Sequence, residues 1–247
     1  MSESDFDDTQ AYFAAIAESY DRLQPVVAGP GYQAGLDFVL KLVPHDEGEA
    51  FTAVELGCGT ASLTAAILDR FPNARAVAVD SEPAMLEVAR RKLARFGQRV
   101  EIRDDEATSC KLPACDLVLS AFMFHHIAPE HVAGTMQRIV GALASGGCLI
   151  LLDTMQAGPR WSQRVGAQSR RLYEDHVAAA IAGDRATQEE IDARWAFKRR
   201  MKAAGKDVEY RHCAEDILRA MQVSGFSEAG LVWRLFAHTL LMAFVGQ

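Results

Sequence analysis

Two glycines and a carboxylate in this sequence have the residue types and spacing of a nucleotide-binding site. Gly57 and Gly59 follow a short apolar segment that ends at Leu56, and a helical pattern begins at Ser62. A glycine turn of this kind lets a ligand approach the backbone and presents helix N–H groups to it. Asp80 ends the next apolar segment, 21 residues after Gly59, where a carboxylate can accept hydrogen bonds from a ribose diol. The pattern therefore predicts a nucleoside ligand.

The residues around this turn distinguish between two kinds of nucleoside ligand. A nicotinamide dinucleotide site needs a third glycine where the helix packs on the strand, and Ser62 stands there instead. Glu55 lies two residues before Gly57 and is expected at the lip of the pocket. A carboxylate suits a ligand with an amino group and a sulfonium better than one with phosphates. Cys58 is expected to be a small loop hydrophobe, because thiols in apolar loops are usually inert.

Two adjacent histidines follow a later apolar segment and could handle a proton. An imidazole titrates near neutral pH, so His126 is a candidate general base and His125 a candidate substrate contact. The alternative for both is ordinary loop packing. We predict no metal site, because no acidic or thiol partner is spaced to complete one with His125, His126 and His131.

Alternating apolar segments and helical patterns between residues 51 and 153 must position these groups. Such alternation indicates right-handed crossovers and a parallel sheet. The last two apolar runs, 229–237 and 239–245, have no helix between them, so they should be antiparallel neighbours. We predict an α/β, Rossmann-like, mostly parallel seven-stranded sheet with an antiparallel last strand, plus a helical insertion after strand five.

The 247 residues, 49% of them hydrophobic, are enough for one domain with a full core. We expect N-terminal helices over 1–45, beginning with Asp7 to Arg22, and a core formed by 51–153 and 214–247. Residues 154–212 have helical patterns with breaks near Gly183 and Gly205. An insertion at this point lies beside the carboxyl ends of the strands, where ligands bind, so we expect a lid.

A basic and aromatic stretch of the predicted lid suggests an acceptor with a negative group. Arg194, Arg199 and Arg200 lie close in sequence to Trp195, and a planar guanidinium can bind a carboxylate through two hydrogen bonds. We predict that the acceptor, or a modified cofactor, meets at least one of these arginines. The alternatives are a solvated helix face for the arginines and internal packing for Trp195.

The composition of the chain indicates which partners, cofactors and cellular location to expect. A net charge of −7 and a pI near 5.5 argue against direct nucleic-acid binding. The five cysteines include no C-x-x-C pair, so neither a disulfide framework nor a zinc ribbon is indicated. We find no secretory pattern and no membrane-spanning run, and we expect a cytoplasmic protein without membrane contact. The oligomeric state stays open, with a homodimer among the options.

Three segments together resemble class I S-adenosylmethionine-dependent methyltransferases. Residues 54–60 (VELGCGT) resemble motif I, residues 78–86 (AVDSEPAML) resemble the second motif, and residues 117–127 (LVLSAFMFHHI) resemble the fourth-strand motif. Alanine stands at position 61, where the family usually has glycine. The resemblance implies S-adenosylmethionine as cofactor and direct in-line methyl transfer to a small-molecule acceptor.

By this resemblance Asp80 binds the ribose, Met85 or Ser81 lies against the adenine, and Ser120 lines the methionine end with Ala121. An acidic residue after strand three should bind the adenine amino group; Asp104, Asp105 and Glu106 compete, and we favour Asp105. The residues predicted to bind the cofactor are Tyr20, Glu55, Gly57, Cys58, Gly59, Asp80, Ser81, Met85, Asp105, Glu106 and Ser120.

Two alternative functions remain open. Residues 29–32 (GPGY), 83–85 (PAM) and 232–236 (VWRLF) resemble the carboxy-S-adenosylmethionine synthase group, which makes a carboxylated cofactor for tRNA wobble-uridine modification. In that group an arginine from the segment after strand five holds the extra carboxylate, and Arg194, Arg199 or Arg200 could serve here. The other alternative is a non-catalytic regulator that only binds the cofactor, which turnover with any acceptor would exclude.

Overall fold

The computed structural model describes residues 13–14, 16–156, 159–205 and 209–246. Its strands are β1 Thr52–Leu56, β2 Arg75–Asp80, β3 Val100–Asp104, β4 Cys115–Ala121, β5 Leu143–Thr154, β6 Glu228–Leu235 and β7 His238–Phe244. Its α-helices are α1 Tyr20–Val27, α2 Pro30–Leu42, α3 Ser62–Arg70, α4 Pro83–Leu93, α5 Pro129–Ala142, α6 Pro159–Ala182, α7 Gln188–Ala203 and α8 Ala214–Ser224. Short 3-10 helices span Ala17–Ser19, Ala94–Arg99 and Phe124–His126.

The seven strands form one sheet in the order β3-β2-β1-β4-β5-β7-β6. Strands β1 to β5 pair in parallel, whereas β7 runs antiparallel to both β5 and β6. The two residues between β6 and β7 make a tight turn in which Phe236 has a φ of 55°, and so short a connection requires antiparallel strands. The predicted mostly parallel sheet with a reversed last strand is confirmed.

Glycine and proline set the boundaries of two elements. Helix α2 begins at Pro30, because proline favours the first helical position and Gly29 provides the preceding turn at a φ of 92°. Strand β5 begins at Leu143, and its ladder with β4 is irregular where Gly146 takes a φ of 76°. Most of the helix predicted from Asp7 onward lies outside the described residues.

Helices cover both faces of the sheet, and the strands bury side chains on each face. On one face Ala78, Leu119 and Ile150 pack with residues of α2, α3 and α4 such as Ile67 and Leu86. The other face packs against α5 and α8, through the set Val54, Val79, Val118, Leu151, Met136, Ile139, Ile217 and Met221. This alternation along each strand follows from the two-residue period of β structure. The parallel pairing of β1 to β5 places their carboxyl ends at one edge of the sheet.

Helices α6 and α7 form most of the segment between β5 and α8. Gln156 and Cys213 make a parallel bridge, and the Gln156 N–H donates to the carbonyl of His212 at 2.8 Å, so the two ends of the segment meet. Helix α7 begins with a capping box between Thr187 and Glu190. Helices α1, α6 and α7 share a small core of Leu23, Val26, Val27, Ala180, Ala186 and Ile191. Within the described ranges no helix is long and apolar enough to cross a membrane.

Candidate cofactor and acceptor site

The glycine turn after β1 is fastened to the end of β2. The N–H groups of Gly57 and Cys58 both donate to the Val79 carbonyl at 2.9 Å. Gly57 has a φ of 71°, and a Cβ there would lie 2.2 Å from Cγ of Met123. Glycine is therefore required for both the backbone conformation and the close packing of the turn. Burial raises the pKa of the Cys58 thiol well above its usual value, so Cys58 remains protonated, as expected for an inert thiol.

Asp80 lies at the carboxyl end of β2 and holds the turn from the other side. Its Oδ2 accepts from the Gly59 N–H at 2.7 Å, and its Oδ1 accepts from the Glu82 N–H at 2.9 Å. Burial raises the pKa of Asp80, although these N–H donors oppose the shift. A carboxylate has about four acceptor positions, so capacity remains for a ribose diol. A Cβ on Gly59 would meet nothing within 4 Å, so the turn has open space beside it.

The predicted adenine-binding residues surround Asp80 on two loops. The Asp105 N–H donates to the Asp80 carbonyl at 3.1 Å. The exposed Asp105 carboxylate accepts from the Glu106 N–H at 2.8 Å. The charge of Glu106 contributes to the raised pKa of Asp80, so this carboxylate lies on the Asp80 side of the loop. Ser81 is partly exposed beside Asp80, whereas Met85 is buried against the N-terminal residues Ile16 and Ala17. The geometry thus groups these residues at one edge of the sheet.

Glu55 does not lie at the lip of the pocket as predicted. It is 4% exposed, and its Oε2 accepts from the N–H of Thr64 at 2.9 Å and from the Thr64 hydroxyl. The first turn of α3 has N–H groups without helical partners, and they draw the carboxylate beneath the turn. Burial raises the pKa of Glu55 to about 7, against the opposing effect of Thr64.

The raised pKa of Glu55 predicts a pH-dependent stability. The unfolded carboxyl ionises near its ordinary value of 4.5 while the folded one holds its proton to about 7. Stability is therefore fully present below pH 4.5 and is lost as pH rises toward 7, by about 1.4 kcal/mol for each unit of pKa difference. Urea unfolding of the ligand-free wild type and of Glu55→Gln, from pH 5 to 8, should show the two free energies diverging. A difference that does not vary with pH contradicts the prediction.

Ser120 is also placed differently from the expectation. Its side chain is 1% exposed, and its hydroxyl donates to the Leu56 carbonyl at 3.1 Å. It therefore links β4 to the end of β1 rather than turning its hydroxyl toward the open edge. The neighbouring Ala121 and Phe122 are partly exposed, and Phe122 stacks on Tyr32 with ring centroids 4.5 Å apart.

A polar cluster that the sequence did not reveal fastens α1 to the glycine turn. Asp21 accepts from the Thr60 hydroxyl at 2.5 Å, the Ser62 hydroxyl at 2.9 Å and the Lys92 ammonium at 2.5 Å. Burial alone would raise the pKa of Asp21, but these donors lower it overall. The adjacent Tyr20 hydrogen bonds with Tyr32. Tyr20 thus lies close to the turn, where the sequence predicted a cofactor contact.

The two predicted histidines occupy different environments. His125 is largely buried, with its Nδ1 2.6 Å from Oδ1 of Asp153, whereas His126 is exposed and faces the ring of Phe13 edge-on at 6.3 Å. Asp153 ends β5, next to the end of β4, and sequence reasoning missed it. Asp153 orients the His125 ring as a carboxylate orients the imidazole of a catalytic dyad, and the role predicted for His126 stays a prediction.

The three candidate arginines do not converge on one point. Arg194 is 7% exposed, donates to Oε1 of Gln24 at 3.1 Å and lies 5.9 Å from the Tyr20 ring centroid. Arg199 and Arg200 are exposed, and Arg200 lies over Phe197 at 5.5 Å. The Trp195 indole N–H donates to the Tyr173 hydroxyl at 2.8 Å. This contact joins α7 to α6 and agrees with the alternative in which Trp195 packs internally. Only Arg194 is thus directed toward α1 and the turn.

Comparisons with known proteins identify a matching family and several relatives of similar sequence. Residues 54–149 match the family described as "Methyltransferase domain". The chain is 32% identical over 182 residues to a trans-aconitate 2-methyltransferase of Methylobacterium radiotolerans, covering 64% of this chain and 65% of that protein. It is 22% identical over 147 residues to a carboxy-S-adenosyl-L-methionine synthase of Campylobacter hominis, covering 60% of this chain and 62% of that one. The chain thus spans slightly less than two thirds of either relative.

Solved structures agree on the fold. An O-methyltransferase family protein from Burkholderia thailandensis superposes with a TM-score of 0.64 at 16% identity, covering 96% of this chain and 59% of that chain. The matched residues 54–149 run from β1 into β5 and include the glycine turn, Asp80 and His125. Residues 54–149 therefore resemble a methyltransferase domain in sequence, and the sheet has the Rossmann-like fold of that solved methyltransferase structure.

Proposed function

We propose that this chain transfers a methyl group from S-adenosylmethionine to a small-molecule acceptor. The observation that carries the proposal is the Asp80 carboxylate, bound to the Gly59 N–H at 2.7 Å within a segment that matches the methyltransferase domain. The relative named trans-aconitate 2-methyltransferase supports the small-molecule class of acceptor. When bound, S-adenosylmethionine supplies a methyl group on a positively charged sulfur.

In this proposal the residues of the chain bind, orient and exclude water. Asp80 binds the ribose, Glu106 and Asp105 contact the adenine, and the turn from Gly57 to Gly59 lets the ligand approach the backbone. The segment 154–212 covers the acceptor as a lid. Positioning of this kind can contribute on the order of 7–11 kcal/mol to lowering a barrier. Incubation with S-adenosylmethionine and small anionic acceptors that carry a hydroxyl, such as malate and 4-hydroxybenzoate, should release S-adenosylhomocysteine. If none is released and the protein also fails to bind S-adenosylmethionine, the proposal is contradicted.

We further propose that the acceptor carries an anionic group that Arg194 binds. The guanidinium is buried beside Gln24 and Tyr20, and Tyr20 adjoins Asp21, which is bonded to Thr60 of the glycine turn. A buried arginine in this position is a suitable partner for a carboxylate. The trans-aconitate and malonyl-[acyl-carrier protein] substrates in the names of two relatives are anionic, which supports the same class.

Arg194→Met should weaken acceptor binding and leave the affinity for S-adenosylhomocysteine unchanged. A charge-assisted hydrogen bond contributes about 1.5–3 kcal/mol, so KM should rise by about 10- to 150-fold. Arg194→Lys should recover part of this, because it keeps the charge but not the planar fork. Lys202→Met removes an exposed charge of the same helix and is the control. Equal KM values for the Arg194 and Lys202 variants, both with the wild-type melting temperature, contradict the proposal.

The carboxy-S-adenosylmethionine synthase function is a second candidate. Relatives with that name and the buried Arg194 favour it, because an arginine after β5 could hold the additional carboxylate. Mass spectrometry of the nucleoside released from purified protein separates the candidates: S-adenosylmethionine or S-adenosylhomocysteine supports the methyltransferase, and the carboxylated form supports the synthase. Arg194→Met should abolish binding of the carboxylated form alone if the synthase is correct.

Three further expectations stay predictions under this proposal: a cytoplasmic location, a homodimer among the possible assemblies, and a domain with a lid over 154–212. Cell fractionation and light scattering test the first two. Limited proteolysis tests the third, since a lid should lose its protease sensitivity when S-adenosylhomocysteine and an acceptor are bound.

A further inference from the structure

A buried acid–imidazole pair lies at the ends of β4 and β5 and has no part in the proposed cofactor contacts. The His125 Nδ1 is 2.6 Å from Oδ1 of Asp153, and the His125 backbone N–H donates to Oδ2 of the same carboxylate at 3.0 Å. The Thr154 N–H donates to Oδ1 at 2.5 Å. Asp153 therefore fixes both the backbone and the ring of His125.

The pairing determines which nitrogen of His125 is basic. A carboxylate beside Nδ1 holds a proton there and leaves the lone pair on Nε2, as in an acid-oriented catalytic histidine. The His125 side chain is 15% exposed, whereas the Asp153 side chain is 2% exposed. The imidazole thus separates the carboxylate from the open edge of the sheet, and the ring is the part of the pair that an acceptor can reach.

Charged groups from several elements surround the pair. Lys198 of α7 and Glu209 form an ion pair at 2.8 Å that acts on His125, and the ring of His126 lies 4.1 Å from the His125 ring. Burial lowers the pKa of His125, but Asp153 more than offsets this, and the pKa is raised overall, with Glu209 raising it and Lys198 lowering it.

Two further histidines, His212 and His238, lie near the pair in different surroundings. Burial lowers the pKa of His238, at the start of β7, to about 4, so its ring is neutral at physiological pH. The Nε2 of His212 lies 3.0 Å from the Ile127 carbonyl and 3.2 Å from the Phe124 carbonyl, which occupies that nitrogen. His125 differs from both in that its Nδ1 lies within hydrogen-bonding distance of a carboxylate.

We propose that His125, oriented by Asp153, is the general base of the reaction, and that the methylated group of the acceptor is a hydroxyl rather than a carboxylate. This inference rests on the proposed methyl transfer. A carboxylate is already ionised at neutral pH and needs no base, whereas a hydroxyl must lose a proton before or during attack. The anionic group that Arg194 binds then anchors the acceptor and is not itself methylated.

The step balances without a further reagent. The O–H bond of the acceptor breaks and its proton passes to Nε2 of His125 while the oxygen forms a bond to the methyl carbon. The bond between that carbon and sulfur breaks, and its electron pair remains on sulfur, which loses its positive charge. The products are a methyl ether, S-adenosylhomocysteine and an imidazolium paired with Asp153, which then releases its proton to solvent.

Chemical labelling tests the geometry without any acceptor. Diethyl pyrocarbonate modifies unprotonated imidazole nitrogens, and tandem mass spectrometry of the protein with S-adenosylhomocysteine locates the modification. We expect His125 to be modified at a rate that rises with pH through a midpoint above 6.5, and Asp153→Asn to shift that midpoint downward. Modification of His126 without modification of His125 would show that Nε2 cannot be reached, and would overturn the proposal.

Turnover tests the chemistry with matched probe acceptors, malate against succinate and 4-hydroxybenzoate against benzoate. The hydroxylated member of a pair should give a methyl ether that resists mild alkali, with kcat/KM rising with pH to a plateau. His125→Ala should lower kcat by about 10²–10⁴-fold and retain the affinity for S-adenosylhomocysteine. Asp153→Asn should lower both kcat and the midpoint of the pH profile. His131→Ala, at an exposed position of α5, is the control and should keep full activity.

An alkali-labile methyl ester, a rate that falls as pH rises through the midpoint, or a loss of kcat in His126→Ala but not in His125→Ala would overturn the inference. If none of the probe acceptors is methylated, the diethyl pyrocarbonate labelling of His125 supports or overturns the assignment of His125 as the base. Failure of the proposed function has a different signature, which is the absence of S-adenosylhomocysteine binding. The labelling of ligand-free protein then still shows whether His125 presents Nε2.

Discussion

Asp80→Ala should weaken binding of S-adenosylmethionine by about 10- to 150-fold, because charge-assisted hydrogen bonds to a ribose diol contribute about 1.5–3 kcal/mol. The carboxylate also accepts from the N–H groups of Gly59 and Glu82, so its removal leaves two donors without a partner and loosens the turn. Isothermal titration with S-adenosylmethionine measures the change directly.

Two comparison variants separate the ligand contact from the turn. Asp80→Asn keeps one acceptor oxygen and should lose less affinity than Asp80→Ala. Asp69→Ala, at an exposed position of α3, removes a carboxylate far from the predicted contacts and should bind as the wild type does. Wild-type affinity in a folded Asp80→Ala protein would refute the assigned ribose contact.

Gly57→Ala should destabilise the protein by about 2–5 kcal/mol and abolish cofactor binding. The left-handed φ of 71° costs a residue with a Cβ roughly 1–2 kcal/mol, and overpacking typically adds about 1–3 kcal/mol. The added Cβ would lie 2.2 Å from Cγ and 2.5 Å from Cβ of Met123, so the clash involves atoms close to the backbone that cannot simply rotate away.

Gly59 provides a matched control two residues away. Its φ is 54°, but a Cβ there would meet nothing within 4 Å, so Gly59→Ala should show the conformational cost alone. Combining Gly57→Ala with Met123→Gly removes both clashing atoms, and a double-mutant cycle should show a favourable coupling energy. Urea unfolding of the wild type, the three single variants and the double variant measures these free energies. Equal losses in the two single glycine variants, or no coupling with Met123, would contradict this account of the turn.

Features set by local spacing could be predicted from the sequence. The alternation of apolar segments and helices predicted the parallel sheet, and the two adjacent C-terminal runs predicted the reversed last strand. The turn could be predicted because Gly57 and Gly59 directly follow β1 and Asp80 ends β2, the next strand in the sequence. The breaks predicted near Gly183 and Gly205 fall just after the ends of α6 and α7, because glycine commonly follows the last residue of a helix.

Features set by the order of strands or by packing against remote helices could not be predicted in the same way. His125 and Asp153 meet because β4 and β5 are neighbours, and a single sequence does not pair two side chains across a sheet. Asp21 reaches Thr60 and Lys92 only because α1 folds back over the turn. Glu55 is drawn beneath the turn by Thr64, a competition between helix N–H groups and solvent that spacing does not reveal.

The central claim is that the turn after β1, together with Asp80, binds S-adenosylmethionine. Its most direct test is a native mass spectrum of the purified protein after incubation with S-adenosylmethionine, S-adenosylhomocysteine and NAD at equal concentrations. We predict a one-to-one complex with S-adenosylmethionine or S-adenosylhomocysteine that is lost in Asp80→Ala. A complex with NAD, or no nucleoside complex of the folded wild type, would contradict the claim.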